Sequence, residues 1–384
     1  MMNFFGAVEI QDKIFFYLMM PFVFLKYSST SIYKKLFIYL VICLFVNILC
    51  CQYLRGQSIF LTFKVTLPFI FIFYYYVLRY YNLSIQGMEK LILVLAYSFC
   101  ICYLIQYIVY PTIIFSGARV MEDVNAQGLR MRLTGQGLSS LGYFFALTNI
   151  LNRKKKNKII NIILMILCFS VIFLMGFRTM TLFIVVMTFI TIIKVNGFNR
   201  KLFFYSTIIV IVINLSMQTK VVSKVLDQMS ERQENENLNN EDYIRITQFV
   251  YFTQNHFKNI GEYILGSGYP AMGVESSSYG RKMEKLQEEG INWVDWGLLS
   301  LSWIIGIPAV LVMILYSFKV ILLKLPIDYF YLKIWFVYLL VSSFTTMEFY
   351  RPGNFIIQAM VLYIAEKAHK KFINDPNFIN KIKL

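Results

Sequence analysis

Residues 36–54, LFIYLVICLFVNILCCQYL, run for nineteen positions without a charged side chain. As an α-helix, rising 1.5 Å per residue, the stretch reaches about 28 Å, close to the roughly 30 Å of hydrocarbon in a bilayer. It lacks the period-two alternation of a barrel strand, and only a helix satisfies its own backbone hydrogen bonds inside lipid. The reading is a membrane-spanning helix. Apolar runs of similar length recur at 59–78, 91–110, 158–176, 178–195, 297–318 and 329–347. Shorter ones lie at 14–26, 137–152, 202–217 and 353–366, the second of them interrupted by Gly142. Together they predict an all-α polytopic transmembrane bundle of about eleven helices. Composition agrees, since 58% of the 384 residues are hydrophobic and only 15% charged, where soluble domains run near about 45–50% and 25%.

The formal charge is +16, with 37 Lys and Arg against 21 Asp and Glu. In a soluble protein such a balance would raise the question of nucleic acid. Here the basic residues collect in short loops between apolar runs, which is a topology signal, and no nucleic-acid partner is expected. With the C-terminal tail in the cytoplasm and eleven spans alternating, 21 Lys and Arg fall on the cytoplasmic side, against seven in the short outer loops. The N-terminus then lies outside. Its sequence, MMNFFGAVEIQDK, lacks the basic n-region of a cleavable leader, so no removal is expected. The chain divides into helices over 1–217, an outer segment over 218–296, further helices over 297–366 and a basic cytoplasmic tail over 367–384. The outer segment carries 12 Asp and Glu against 8 Lys and Arg, opposite in sign to the rest. It reads as a partly helical cap. After the polar stretch ERQENENLNN (231–240), Asn239 or Asn240 can cap a helix starting near Glu241, with Tyr243, Ile246, Val250 and Phe257 on one face. The glycines and proline of LGSGYPAMG (265–273) then force a tight loop.

Several chemistries lack the residues to carry them. There is no phosphate-binding G-x-x-x-x-G-K-[ST], no H-E-x-x-H, no Cys/His cluster and no Asp-x-Asp pair. GSGYPAMG sits in no βαβ pattern and is not a dinucleotide fingerprint. All six cysteines fall inside apolar runs and read as small buried hydrophobes. No metal and no cofactor are expected. The two histidines are His256 and His369. An enzyme built on this chain would work with Arg, Asp, Glu, Tyr and His256.

Arginine on the outer face runs against the positive-inside tendency. Arg119, Arg130, Arg132, Arg178 and Arg351 occupy outer loops beside helix ends, where a guanidinium either anchors to lipid headgroups or clamps phosphate with two parallel bonds. Taken together they favour an anionic ligand. Arg178 is the sharpest case, held between two long apolar runs in LMGFRTMTLF with Gly176 permitting the close turn; a charge there needs a polar cavity or a partner. Lys64, five residues into a span, reads as a snorkelling lysine. Glu348 and Arg351 in TTMEFYRPG either pair at a helix end or line a site. Most of the 36 Phe and 27 Tyr suit interfacial belts, while Tyr269, Tyr279, Trp293 and Trp296 lie where a glycan could stack.

Four stretches resemble the superfamily of O-antigen polymerases and O-antigen ligases, polytopic glycosyltransferases of the bacterial cytoplasmic membrane. RMRLTGQGLSSLGYFF (130–145) resembles its arginine-bearing outer loop leading into a small-residue helix, and GFRTMT (176–181) its short arginine turn. EDYIRITQFVYFTQNHFKNIGEYILGSGYP (241–270) is similar to its loop of an arginine, an aromatic-rich helix and a Leu-Gly-x-Gly turn. VDWGLLSLSWIIGIPAVL (294–311) resembles the start of the helix that follows. In the ligases that last motif begins with histidine; here Asp295 stands there, which favours polymerase over ligase. The resemblance implies that an undecaprenyl-pyrophosphate-linked chain passes, on the outer leaflet, to the sugar end of another lipid-linked repeat. It implies the bilayer and a chain-length regulator as partners, Arg178, Arg132 and Arg245 on the leaving pyrophosphate, and Asp295 orienting or deprotonating the acceptor. On an ideal helix Arg245 and His256 point the same way, making His256 a second candidate. A ligase, or a flippase for lipid-linked oligosaccharides, is the competing reading; against the flippase stand the lack of an internal repeat and the outer-face position of the charges.

Overall fold

The structure, a computed structural model, describes residues 30–115, 119–122, 129–152, 158–197, 244–351 and 353–374. The first apolar run becomes α1 (Lys34–Arg55), ended by Gly56 in the left-handed conformation at φ 70°. A second rod follows, made of α2 (Ile59–Ile70), a 3₁₀ turn at Phe71–Phe73 just past Pro68, and α3 (Tyr74–Tyr81). Ser58 and Ser84 cap α2 and α4 (Ile85–Ile108) by accepting from Leu61 N and Gly87 N. After a hairpin of β1 (Arg119–Glu122) and β2 (Leu129–Arg132) come α5 (Gly137–Leu151), α6 (Lys158–Leu174) and α7 (Arg178–Asn196). The segment 244–296 holds α8 (Ile244–Val250), α9 (Ile260–Leu265) and α10 (Ser278–Glu288). Helices α11 (Gly297–Ile305), α12 (Ile307–Leu322), α13 (Phe330–Ser342) and α14 (Asn354–Ile373) complete the order.

Nine of the expected apolar runs therefore coincide with described helices; those at 14–26 and 202–217 lie outside the described residues, as do the capping Asn239 and Asn240. Four helices, Lys34–Arg55, Ile59–Tyr81, Ile85–Ile108 and Thr179–Asn196, are long and apolar enough to cross a membrane, which supports a membrane protein. The all-α expectation needs one amendment, the short two-stranded hairpin. A second correction concerns Gly142, which does not interrupt its helix. A Cβ there would stand 2.7 Å from Ala96 Cβ and 3.1 Å from Cys168 Sγ, so the glycine lets α4, α5 and α6 approach closely. Helix α13 stops at Ser342, short of the expected 347, because the chain beyond it is drawn into other bonds: Ser343 O accepts from Leu298 N at 2.7 Å and its hydroxyl from Phe349 N at 2.9 Å.

Helices α5 and α14 are buried on nearly every face and form the axis against which α4, α6, α7, α13 and the α2–α3 rod pack. By contrast α1 leaves Ile42, Phe45 and Tyr53 exposed, as a lipid-facing helix does. Cys51, Cys100 and Cys168 are buried, while Cys43, Cys50 and Cys102 are only half-buried; all six are free thiols. Lys64 is exposed on α2.

The described loops gather at two ends. At one, Lys319 Nζ donates to Ile32 O, Lys367 Nζ to Leu83 O at 2.6 Å and Lys370 Nζ to Thr30 O at 3.2 Å. At the other, Arg55 meets Glu262, Gln57 meets Tyr269 and Gln136 meets Glu348.

Candidate functional site

The second end holds most of the buried charged and amide side chains among the described residues. In the hairpin, antiparallel pairing sets Arg119 opposite Arg132 and Met121 opposite Arg130. Because successive residues of a strand alternate between faces, this register puts the three arginine positions on one face of the ribbon. Four residues past Arg132 the chain reaches Gln136, which is 1% exposed and lies at the centre of a polar knot. Gln136 Nε2 donates to Glu348 Oε1 at 3.0 Å, and Arg351 Nη1 donates to Gln136 Oε1 at 3.0 Å. Arg351 also pairs directly with Glu348. Asn354 ties the knot to α5 and to the turn before it: its Oδ1 accepts from Gly137 N at 3.1 Å and its Nδ2 donates to Glu348 O.

This knot reaches α7. The Arg351 guanidinium carbon sits 5.0 Å from the centre of the Phe177 ring, and Gln136 Nε2 approaches Met180 Sδ at 3.7 Å. Gly176, at φ 71°, makes the turn that places Arg178 first in α7. Phe177 supplies no side-chain cap, so the leading N–H groups of α7 lack the usual Ser, Thr, Asp or Asn acceptor at the helix start. The backbone of Arg178 therefore stands one residue from a ring held by Arg351. Arg351 itself is 5% exposed and Glu348 fully buried, so the charge expected to face a ligand is neutralised inside the fold. Of the two readings for this pair, the helix-end ion pair is the one observed.

Asp295 enters from the 3₁₀ turn Trp293–Trp296. It is half-buried, and its Oδ2 accepts from Gln248 Nε2 at 3.3 Å, while the same amide donates to Gly290 O at 2.8 Å. Tyr350 lies near enough that the Asp295 charge adds to burial in pushing its hydroxyl above the ordinary tyrosine range, partly offset by the bond with Ser300. Trp293 is not an open stacking platform. It is 5% exposed, stacked on Tyr350 at 6.1 Å and edge-on to Tyr269 at 5.5 Å. Trp296 and Tyr269 are half-buried, the former against Phe249 at 5.0 Å; Tyr279 is buried. The ring chain Tyr269–Trp293–Tyr350 connects the Asp295 turn to the Gln136 knot, so Asp295, Arg351 and the backbones of Arg132 and Arg178 belong to one end of one polar layer.

Arg245 and His256 are not brought together there as an ideal helix would do. Helix α8 is α-helical only to Val250, and Tyr251–Asn255 form a π turn, whose wider winding breaks the eleven-residue phase. The expected apolar face is reversed as well: Ile246 and Val250 are exposed, while Gln248 and Phe252 are buried. Arg245 is half-buried. His256 is 2% exposed, ringed by Phe252 and Phe257 at 5.0 Å, Tyr251 at 5.9 Å and Tyr279 at 6.4 Å. Neither ring nitrogen has a hydrogen-bond partner among the described residues. Burial first, then the charges of Arg55 and Lys282, hold its pKa down to about 3. An imidazole so weakly basic stays neutral near pH 7 and makes a poor general base.

A second knot fastens the 256–277 stretch. Arg55 pairs with Glu262 and donates to His256 O at 2.5 Å, and Lys258 N donates to Glu262 Oε2 at 2.7 Å. Gln57 donates to Tyr269 O at 2.8 Å and accepts from Ala271 N and Ser277 Oγ at 2.9 Å. Helix α11 breaks at Gly306, and the carbonyls this releases are taken up from outside: Ser267 N donates to Trp303 O, and Gly268 N and Asn47 Nδ2 to Ile304 O, while Asn47 Nδ2 also donates to Leu265 O at the end of α9. Sequence reasoning missed Gln136, Gln248, Asn354, Asn47 and Gln57. Their signal is a lone amide in or beside an apolar run, a group that needs partners wherever it is buried.

Among the described residues no cluster of three His, Cys, Asp or Glu could hold a metal. Compared with known proteins, the chain matches no family model, no curated protein and no solved structure.

Proposed function

We propose that the chain is a polysaccharide polymerase of the bacterial cytoplasmic membrane, acting on undecaprenyl-pyrophosphate-linked repeat units at the end that carries the hairpin. The observation that carries the reading is the ribbon register. Like charges directly opposed across two strands destabilise the pair, and Arg119 faces Arg132 with Arg130 on the same side. A bound pyrophosphate offsets that repulsion, and arginine meets it with two parallel bonds and no metal. The uncapped start of α7 beside Arg178 adds backbone donors for the same anion.

In the reaction the acceptor hydroxyl attacks the anomeric carbon of the donor sugar. The bond from that carbon to the pyrophosphate oxygen breaks, undecaprenyl pyrophosphate leaves, and the hydroxyl proton passes to the Asp295 carboxylate. Arginines stabilise charge growing on the leaving group, where loss of one comparable donor costs about 10²–10³ in rate. Arg351 acts at one remove, holding Phe177 and so the start of α7. His256 is assigned to packing.

The test is a deletion strain complemented with variants. The strain should accumulate single repeat units on lipid, exposed on the outer leaflet to an added lectin. Arg178→Ala and Arg132→Ala should fail to restore polymer at normal protein level, and Arg178→Lys should restore little of it. Units trapped on the cytoplasmic face would identify a flippase instead. Full polymer length with Arg178→Lys would reduce that residue to a simple positive anchor.

A further inference from the structure

At the end opposite the arginine hairpin, α12 and α14 flank an open, shallow cleft of about 540 Å³. Its wall is apolar. Leu315, Phe318 and Leu322 recur every three or four residues on one face of α12, exposed by 53%, 47% and 77%. Its rim is basic: Lys319 and Lys324 stand on the α12 side and His369 on α14, and among the described residues no acidic side chain lines the cleft. The rim is also ordered. Lys319 Nζ donates to Ile32 O and sits 5.8 Å from the Tyr33 ring centre, while His369 Nδ1 lies 2.9 Å from Lys324 O, turning its other nitrogen away from that carbonyl. The carboxylate of Glu366, one turn earlier on α14, is held by Lys370 at 2.6 Å and by Tyr75, so it does not neutralise the rim.

From this arrangement we infer a binding site for one anionic glycerophospholipid, with an acyl chain along the α12 face and the phosphate at Lys324, Lys319 and His369. A long apolar wall ending in cations matches a molecule that joins hydrocarbon to a single anionic head, and basic pockets between helices at a membrane face take such headgroups. The sequence that follows, residues 375–384, carries Lys381 and Lys383 against Asp375, a side-chain charge of the same sign as the rim. The inference is independent of the glycosyl-transfer reading.

The full-length protein, purified in micelles doped with equal phosphatidylglycerol and phosphatidylethanolamine, is examined by native mass spectrometry. One phosphatidylglycerol should be retained in preference. Lys324→Gln should lower its retention about fivefold, the worth of one lysine near an anionic headgroup, with unchanged unfolding temperature, whereas Lys324→Arg should keep it. Lys64→Gln, altering an exposed lysine on α2, should leave retention as it was. Equal retention of both lipids, or equal losses from Lys324→Gln and Lys64→Gln, would overturn the site. So would displacement of the lipid by excess inorganic phosphate, which marks a phosphate site with no use for the acyl wall. A rise in retention on deleting 375–384 would show the chain's own tail to be the occupant and overturn it equally.

Discussion

Replacing Arg351 by Met takes the paired guanidinium away from a buried carboxylate. Glu348 is fully buried, and among its partners are the Arg351 guanidinium and the Gln136 amide at 3.0 Å, the latter a neutral donor. Removing one member of a buried ion pair costs about 3–5 kcal/mol, because the other charge stays buried without its partner. Glu348→Met should cost a similar amount by exposing the opposite deficit. The double variant Glu348→Met/Arg351→Met removes both charges and fills the space with apolar side chains. What remains is the loss of two partners for Gln136, worth about 1–3 kcal/mol. The two single losses together exceed the double by several kcal/mol, and denaturant unfolding of the purified variants in micelles measures that excess directly. Additive losses would refute the assignment of Arg351 to an internal pair. The same strains separate strut from ligand: if Arg351 only props Phe177, the double variant regains polymer with its stability. A stable double variant that makes none would place Arg351 on the substrate.

His256 should leave a signature in acid. Its folded pKa of about 3 lies below the ordinary value near 6.5, so between those limits the unfolded chain takes up the proton. Stability present above about pH 6.5 is then lost on acidification, by up to about 1.4 kcal/mol per pH unit. His256→Phe should flatten that part of the pH–stability curve, and an unchanged slope counts against the buried neutral ring. Gly306→Ala should destabilise by about 3 kcal/mol or more, since φ is +93° and the new Cβ would lie 2.5 Å from Leu265 O; unfolding indistinguishable from the parent refutes the close approach. Asn47→Leu should cost about 1–3 kcal/mol by leaving Leu265 O and Ile304 O with one donor fewer each, measured in the same assay. Reporter fusions at Asn152 and Asn292 should report opposite sides of the membrane; a shared side rejects the spanning reading.

The helical segments were legible because twenty apolar residues in a row leave the backbone one way to satisfy itself. Boundaries failed where polar side chains compete for backbone groups, as at Ser343, whose hydroxyl and carbonyl both serve other segments. The role of Gly142 was misread because a glycine inside a helix looks the same in sequence whether it breaks the helix or admits a neighbour. The site was legible in part. The arginine-bearing loop, the Gly176 turn and the Glu348–Arg351 pair can be picked out as charges beside apolar runs. Gln136 cannot, because what makes it central is the meeting of segments more than two hundred residues apart. The burial of His256 was equally hidden: its cage draws on Tyr279, and the π turn that rotates it inward has no sequence signature.

The carbonyls released by the break at Gly306 have a consequence for timing. Lifting the 256–277 stretch away from the helices, as a lid would, breaks the bonds of Ser267, Gly268, Asn47 and Gln57 and the Arg55–Glu262 pair together. At about 1 kcal/mol for each neutral bond and more for the ion pair, the open form is on the order of one molecule in several thousand or rarer. A long-chain substrate that waited for this opening would meet an almost always closed door. For the lipid-linked substrate proposed above, entry between helices in the plane of the lipid avoids that cost, and polymer output should then respond to bilayer fluidity.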